Sequence, residues 1–142
     1  MKMTENFKII TSYIKDMSSE TVDASTHVFV RDRISKYQMN IDITSKAVKG
    51  GVIEVNIILK FVDKPEILKK SHFEITYSSI VKVDEKISDK KVMEKIILCD
   101  VPNKIYPNLE KIFINLLTDS GYPGIKLEKK VDFTELYKQR AN

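Results

Sequence analysis

The sequence is poor in the side chains that hold metals and disulfides. Cys99 is its single cysteine, and His27 and His72 are its two histidines. One cysteine cannot form an intramolecular disulfide, and neither histidine belongs to a metal-ligand spacing. We therefore predict no metal and no disulfide, which fits a reducing compartment. Cys99 is interpreted as a buried, unreactive thiol at a helix end.

Long apolar runs and catalytic motifs are also absent. No stretch approaches the ~20 apolar residues that a membrane-spanning helix needs, and the polar start, Met1–Phe7, lacks the features of a signal peptide. The chain has no Walker loop and no G-x-G-x-x-G or G-x-S-x-G motif. We expect a cytoplasmic binding protein with no cofactor, no stable membrane insertion and no enzymatic activity.

Glycine and proline are scarce, at four each in 142 residues, so no flexible linker is evident. The length suits one domain over residues 1–142. A net charge of +4 would permit binding to nucleic acid. The lysines, however, are scattered among 20 acidic residues, which favours ordinary solvated surfaces. We expect no nucleic-acid partner.

Alternating apolar and polar residues predict a four-stranded antiparallel sheet in the first two-thirds of the chain. The alternation is clearest in Tyr37–Thr44, whereas the inward face of the first strand is ambiguous. Met17–Lys36 is interpreted as a long polar connection. The predicted strands are Phe7–Ile14, Tyr37–Thr44, Val52–Val62 and Ser71–Val83.

Helical spacing begins in the last third of the chain. We predict a helix over Asp89–Cys99, capped by Ser88 and broken by Val101-Pro102-Asn103. A second helix contains Ile105–Leu117, with Pro107 in its first turn. Strands followed by helices predict an α+β domain with the helices on one face of the sheet.

Two features are predicted after the second helix. Gly121–Lys130 is a loop whose apolar residues look exposed, namely Tyr122, Ile125 and Leu127. A last helix, ending near Arg140, starts at an N-cap Asp132 with Glu135 completing a capping box.

Five segments, taken in order from Phe7 to Tyr137, resemble the SecB family of protein-export chaperones. The opening segment ends in Tyr13-Ile14-Lys15-Asp16-Met17-Ser18-Ser19-Glu20, which is similar to the family's Y-x-K-D-[LI]-S-x-E. The other four are Phe73–Tyr77, Leu98–Pro107 (similar to P-x-x-L-F-P), Thr118–Pro123 (similar to G-G-F-P) and Val131–Tyr137 (similar to V-D-F-x-x-L-[YF]). The chain departs from the family in lacking tryptophan, in having Ser120 for a loop glycine, and in being basic.

The resemblance implies a SecB-like fold that assembles as a dimer of dimers, a homotetramer. Such a protein holds unfolded precursor proteins and passes them to the export ATPase SecA. The implied client-binding groove contains Met93, Phe113, Tyr122, Ile125, Leu127 and Phe133. The implied SecA-binding residues are Asp16, Glu20 and Glu74. The implied oligomer interface contains Phe73, Ile75, Tyr77, Ile105, Leu109 and Ile112.

Some alternatives remain open from the sequence. Phe113 and Phe133 fit the core at least as well as a groove, and the apolar stripe of the second helix could simply pack on its own sheet. SecB-like chaperones also act on antitoxins of toxin–antitoxin systems. A basic nucleic-acid-binding module and a small enzyme with an unrecognised site are further alternatives.

Overall fold

The computed structural model describes residues 6–127 and 130–141. The strands are β1 (Phe7–Glu20), β2 (Gln38–Val48), β3 (Val52–Val62) and β4 (His72–Val83). The helices are α1 (Ala24–Arg31), α2 (Lys90–Lys95), α3 (Val101–Asp119) and α4 (Phe133–Ala141), with a 3-10 turn at Ile34–Lys36 and a π-helical turn at Ile96–Asp100. Most of the polar start and two residues of the predicted loop, Glu128 and Lys129, lie outside the described residues.

The strands form one four-stranded sheet in the order β1-β4-β3-β2, and every neighbouring pair is antiparallel. The prediction of a four-stranded antiparallel sheet is thereby confirmed. Gly50 and Gly51 make the turn between β2 and β3 with φ angles of +81° and +74°, which glycine adopts without steric cost. The central strands β3 and β4 are lined by buried aliphatic and aromatic side chains.

Strand β1 is longer than predicted, because it pairs with β4 from Phe7, opposite Val83, to Glu20, opposite His72. Two irregularities in the register interrupt this ladder, one between Ile9 and Thr11 and one between Ile14 and Asp16. Each inserted residue reverses the faces of the side chains that follow it. The bulges explain why the inward face of β1 was ambiguous in sequence.

The interpretation of Met17–Lys36 as a polar connection is wrong. Its first residues continue β1, and its centre forms helix α1. The Asp23 carboxylate caps α1 by accepting a hydrogen bond from the Thr26 N–H at 2.8 Å. Hydrogen bonding to the side chain and backbone of Thr26 lowers the pKa of Asp23. Val30, which is buried, anchors the helix to the core. Because Thr26 and Val30 are the buried residues of α1, its apolar periodicity is weak.

The predicted break at Val101-Pro102-Asn103 is also wrong, because the chain stays helical from α2 through the π-helical turn into α3. Pro102, which has no N–H, lies at the start of α3, directly after the π-helical turn. Just before it, the Val101 N–H donates to the Ile96 carbonyl, five residues back. Pro107 lies inside α3 rather than in a first turn.

Two predicted helix starts have different outcomes. Asp89, not Ser88, caps α2, since the Asp89 carboxylate accepts a hydrogen bond from the Lys91 N–H at 2.8 Å. Asp132 caps α4 as predicted, because its carboxylate accepts from the Glu135 N–H at 3.1 Å.

The core lies between one face of the sheet and the helices. We call the buried rings that join the two layers the aromatic cluster: Tyr37, Phe61, Phe73, Phe113 and Tyr122. The Phe61 ring of β3 lies 5.0 Å from the Phe113 ring of α3, in an edge-to-face arrangement. The predicted α+β architecture is confirmed.

Candidate functional site

The residues predicted to line a client groove divide into two groups by burial. Phe113, Tyr122 and Phe133 are almost completely buried. Phe113 and Phe133 are therefore core residues, which is the alternative that the sequence left open for them. Met93, Ile125 and Leu127 are half-buried against the core surface. The latter three can contact a partner without unfolding, and their role in a groove stays a prediction.

The expectation that Tyr122 is exposed is wrong. Its ring packs 5.8 Å from Phe73, and its hydroxyl lies 2.9 Å from the Ser71 Oγ. Ser71 Oγ is in turn 2.6 Å from Thr21 Oγ1, and the Ser71 N–H donates to the Tyr37 hydroxyl at 3.1 Å. The Gly/Pro composition of the loop gave no sign of these tertiary contacts.

The loop that carries Tyr122 is also fitted against α1. The His27 ring of α1 lies 4.7 Å from the Tyr122 ring. Gly121 has a φ of +92°, and a Cβ added there would lie 2.6 Å from His27 Cε1. Glycine is therefore required at Gly121 by both the backbone and the neighbouring ring. The contact holds α1 and the loop side by side.

Exposed apolar side chains that the sequence did not single out lie on β1 and α1. On β1 they are Ile10, Tyr13, Ile14 and Met17, and on α1 they are Val28 and Phe29. Strand β1 pairs with β4 on one side and is the edge of the described sheet. An edge strand with exposed apolar residues is open to further pairing.

The three carboxylates predicted to bind SecA share the outward face of the sheet. Asp16 is opposite Thr76, Ser18 is opposite Glu74 and Glu20 is opposite His72, which places all three acids on one side of β1 and β4. Asp16 and Glu20 are exposed, and the Glu74 side chain is 40% exposed. Lys60 Nζ lies 3.7 Å from Glu74 Oε1. The geometry brings the three acids together, while their partner stays a prediction.

The middle of the outward face is a hydrogen-bonded polar strip. Lys15 Nζ donates to Glu54 at 2.7 Å, and this contact lowers the pKa of the Glu54 carboxyl. Ser78, although on the outward face, is buried and donates to the Asn56 side chain, which donates to Thr44 Oγ1 at 3.2 Å. These contacts pair the polar side chains of the strip with one another.

The residues predicted for the oligomer interface are mostly core residues of the single chain. Phe73, Ile75, Tyr77, Ile105 and Leu109 are buried, and Ile112 is half-buried. The apolar stripe of α3 therefore packs on its own sheet. Whether these residues also contact another subunit stays a prediction, and the exposed residues of β1 are better placed for such a contact.

The described residues hold no cluster of histidine, cysteine, aspartate or glutamate that could bind a metal. Cys99 is buried with its Sγ 3.6 Å from Thr134 Oγ1 of α4, and Asn103 donates to both atoms. No helix within residues 6–127 and 130–141 is long and apolar enough to cross a membrane.

Comparison with known proteins identifies the family. The family model described as "Preprotein translocase subunit SecB" matches residues 1–142. The chain belongs to the SecB family. SecB proteins are protein-export chaperones, and the resemblance seen in the five segments is thereby confirmed.

Individual SecB relatives support the same assignment. A Pelagibacter ubique (strain HTCC1062) protein, provisionally named protein-export protein SecB, is 80% identical over 140 residues, which cover 99% of this chain and 100% of that protein. The protein-export protein SecB of Methylocella silvestris is 25% identical over 134 residues, covering 94% of this chain and 81% of the relative.

A solved structure confirms the SecB-like fold at low sequence identity. The SecB-like chaperone of Mycobacterium tuberculosis, solved in complex with a peptide from an antitoxin, superposes with a TM-score of 0.67 at 9% identity. The superposition covers 89% of this chain and 88% of that chain.

Proposed function

We propose that this SecB-family chain is a cytoplasmic holding chaperone that binds unfolded precursor proteins through exposed apolar surface and delivers them to SecA. The observation that carries the proposal is the set of apolar side chains left exposed on α1, beside half-buried apolar residues of the loop after α3. Exposed apolar patches of this kind mark protein-binding surfaces. The chain needs no nucleotide for this role, because release is driven by competition from the partner.

The client surface that we propose lies where α1 meets the loop after α3. Val28 and Phe29 are exposed on α1, and Ile125 and Leu127 are half-buried on the loop. The His27–Tyr122 ring contact holds the two elements together. Adaptable apolar surface without fixed polar partners suits clients of many sequences. Met93, on α2, is proposed to extend this surface.

The assembly that we propose is a dimer of dimers, with the edge of β1 as one subunit contact. Edge pairing would satisfy the free backbone groups of β1 and cover Ile10, Ile14 and Met17. Symmetric pairing of identical edges generates a twofold dimer. The half-buried Ile112 of α3 is proposed to take part in the second contact.

The handover site that we propose is the acidic group formed by Asp16, Glu20 and Glu74. A basic segment of SecA would complement these carboxylates on the exposed outward face. Replacing all three acids with lysine is expected to abolish SecA binding and to leave client binding unchanged. Unchanged SecA affinity in this triple variant would rule out the assignment.

A second candidate function is a chaperone dedicated to an antitoxin. The observation that favours it is the superposed M. tuberculosis structure, which contains an antitoxin peptide. Affinity capture from the native cell separates the two functions. Export precursors together with SecA would support the first, and a single antitoxin would support the second.

The experiment that tests the chaperone proposal is light scattering on a gel-filtration column, with and without a chemically unfolded precursor. The chain has no tryptophan, so the tryptophan fluorescence of the client reports the client alone. Co-elution of the client with a tetramer of 16.4 kDa chains is expected. A monomer that does not retain the client would contradict both the assembly and the function.

A further inference from the structure

The outward face of the sheet carries lysines and carboxylates in equal number. Apart from Lys60, which pairs with Glu74, and from Lys15 and Glu54, which pair with each other, the two signs lie towards opposite ends. The outward-facing lysines are Lys8, Lys15, Lys46, Lys60 and Lys82, and the outward-facing carboxylates are Asp16, Glu20, Asp42, Glu54 and Glu74. Asp16, Glu20, Asp42 and Glu74 lie towards the end of the sheet where β1 finishes, and we call them the acidic end. Lys8, Lys46 and Lys82 lie towards the opposite end, and we call them the basic end.

The basic end contains two like charges placed directly against each other. Lys8 of β1 and Lys82 of β4 are cross-strand partners, and both are exposed. Like charges directly opposite each other destabilise a sheet. Neither lysine makes an ion pair within residues 6–127 and 130–141. An arrangement that opposes folding and has no ion-pair partner in the described part of the chain suggests an external anion.

Two of the described carboxylates close to the basic end, Glu54 and Asp84, have other partners. Glu54, diagonal to Lys82 across β3 and β4, is held by Lys15 at 2.7 Å and accepts from the Tyr13 hydroxyl at 3.4 Å. Asp84, just beyond β4, is half-buried and accepts a hydrogen bond from the Lys86 N–H at 3.0 Å. The charges of Lys8 and Lys82 are therefore available to a ligand.

The two ends are separated by a length that an extended peptide can span. Lys82 and Glu74 are eight positions apart on the same face of β4, which at ~3.3 Å per residue is about 26 Å. An extended segment of about eight residues would reach from one end to the other. Between Glu74 and Lys82, the outward face of β4 carries Thr76, Ser78 and Ile80.

We propose that the outward face binds one extended protein segment with charges of both signs. Its acidic residues lie on Lys8 and Lys82, and its basic residues, about eight positions away, lie on Asp16, Glu20 and Glu74. This inference rests on the proposed docking role of Asp16, Glu20 and Glu74 and adds a second contact to it. A uniform polyanion, such as RNA or an anionic membrane, is disfavoured because the acidic end of the same face would repel it. The opposed ends also fix the direction in which the segment lies.

The test uses three synthetic peptides of equal length as probes: one with only basic residues, one with only acidic residues, and one with both clusters eight positions apart. On the wild-type protein, the two-signed peptide is expected to bind about five- to tenfold more tightly than the basic peptide, since two exposed charge pairs each contribute modestly. The double variant Lys8→Gln/Lys82→Gln is expected to remove this advantage and to keep the binding of the basic peptide. The matched control is Lys91→Gln/Lys111→Gln, which removes two exposed helix lysines and is expected to change neither affinity.

The outcomes separate this inference from the proposed function. If the basic peptide fails to bind the wild-type protein, the docking role of the acidic end is wrong. If the basic peptide binds and the two-signed peptide binds no more tightly, the proposed docking role of the acidic end is upheld and the proposed role of Lys8 and Lys82 is wrong. Tighter binding of single-stranded RNA or of anionic vesicles, dependent on Lys8 and Lys82, would also overturn the inference.

Discussion

Arg33 and Asp63 form a two-pronged ion pair that joins the α1–β2 connection to the end of β3. The Arg33 Nε and Nη2 atoms donate to the two carboxylate oxygens of Asp63 at 2.8 and 2.9 Å. The Asp63 side chain is only 1% exposed. The guanidinium holds the pKa of the Asp63 carboxyl below its usual value.

This ion pair predicts acid sensitivity. Because the folded-state pKa of Asp63 is depressed, its stabilising effect is present above the unfolded pKa of about 3.9 and is lost as the pH falls through the folded value. Asp63→Asn is expected to lower the free energy of unfolding by about 2 kcal/mol near pH 7 and to flatten the loss of stability in acid. Urea unfolding at several pH values measures both. Asp32→Asn is the control, because the Arg31–Asp32 contact is exposed and 3.9 Å long; equal effects of the two variants would contradict the prediction.

The contact between His27 and Gly121 predicts a steric effect that a second glycine can isolate. Gly121→Ala is expected to destabilise the fold by about 2–3 kcal/mol, since it strains both the backbone and His27. Gly124 has a similar φ of +78° and nothing within 4 Å of an added Cβ, so Gly124→Ala measures the backbone strain alone. Combining His27→Ala with Gly121→Ala should reduce the cost of the alanine to that of Gly124→Ala. Thermal melts of Gly121→Ala, Gly124→Ala, His27→Ala and the double variant would show this. If the destabilisation in the double variant equals the sum of the two single effects, the clash is contradicted.

Tyr106 predicts a loss of stability in alkali. Burial raises the pKa of Tyr106 to about 12, and its hydroxyl lies 3.3 Å from the Met39 sulfur. The folded protein therefore keeps the neutral phenol, and this preference stabilises it below the unfolded pKa of about 10. Stability is expected to fall as the pH rises from about 10 towards 12, and Tyr106→Phe should reduce that fall. If the free energy of unfolding falls equally with pH in the wild-type protein and in Tyr106→Phe, the prediction is wrong.

The exposed edge of β1 predicts a defect in assembly without a defect in folding. Ile14→Lys/Met17→Lys places charge on the proposed subunit contact, and it is expected to lower the mass measured by light scattering. Val48→Lys is the matched control, because Val48 is 46% exposed, against 43% for Ile14 and 45% for Met17. The same loss of mass in the Val48 variant would show a general effect of added charge.

The exposed residues of α1 predict a defect in client binding. Val28→Ser/Phe29→Ser is expected to weaken binding of an unfolded precursor by about tenfold, the equivalent of about 1.4 kcal/mol of lost apolar burial. Leu68→Ser, at an even more exposed leucine outside the proposed surface, is the control. Titration followed by client tryptophan fluorescence gives the two affinities, and a smaller effect of the α1 variant than of the control would exclude this surface.

The sheet and the last helix could be predicted because their signals are local. The alternation in β2 and β4 and the carboxylate of Asp132 act within a few residues of the sequence. Helix α1 could not be predicted, because it depends on the burial of Val30. The continuous α2–α3 region could not be predicted either, because it depends on a π-helical turn that accommodates Pro102.

The candidate surfaces were predictable only in part. The three acids were named from the family resemblance, and strand alternation fixed only the side of the sheet on which Glu74 lies. The position of Tyr122 did not follow, because it is set by Ser71 and His27, which are distant in sequence. The exposure of Phe29 depends in the same way on how α1 docks.

The place of β1 in the sheet has a consequence for biosynthesis. Strands β2, β3 and β4 pair with their sequence neighbours, whereas Phe7 of β1 pairs with Val83 of β4, which is distant in sequence. Because the ribosome makes the chain from its N-terminus, the apolar residues of β1 emerge before the other three strands, and they find their strand partner only once β4 has been made. During its own synthesis, the nascent polypeptide thus presents the kind of extended apolar segment that a holding chaperone recognises.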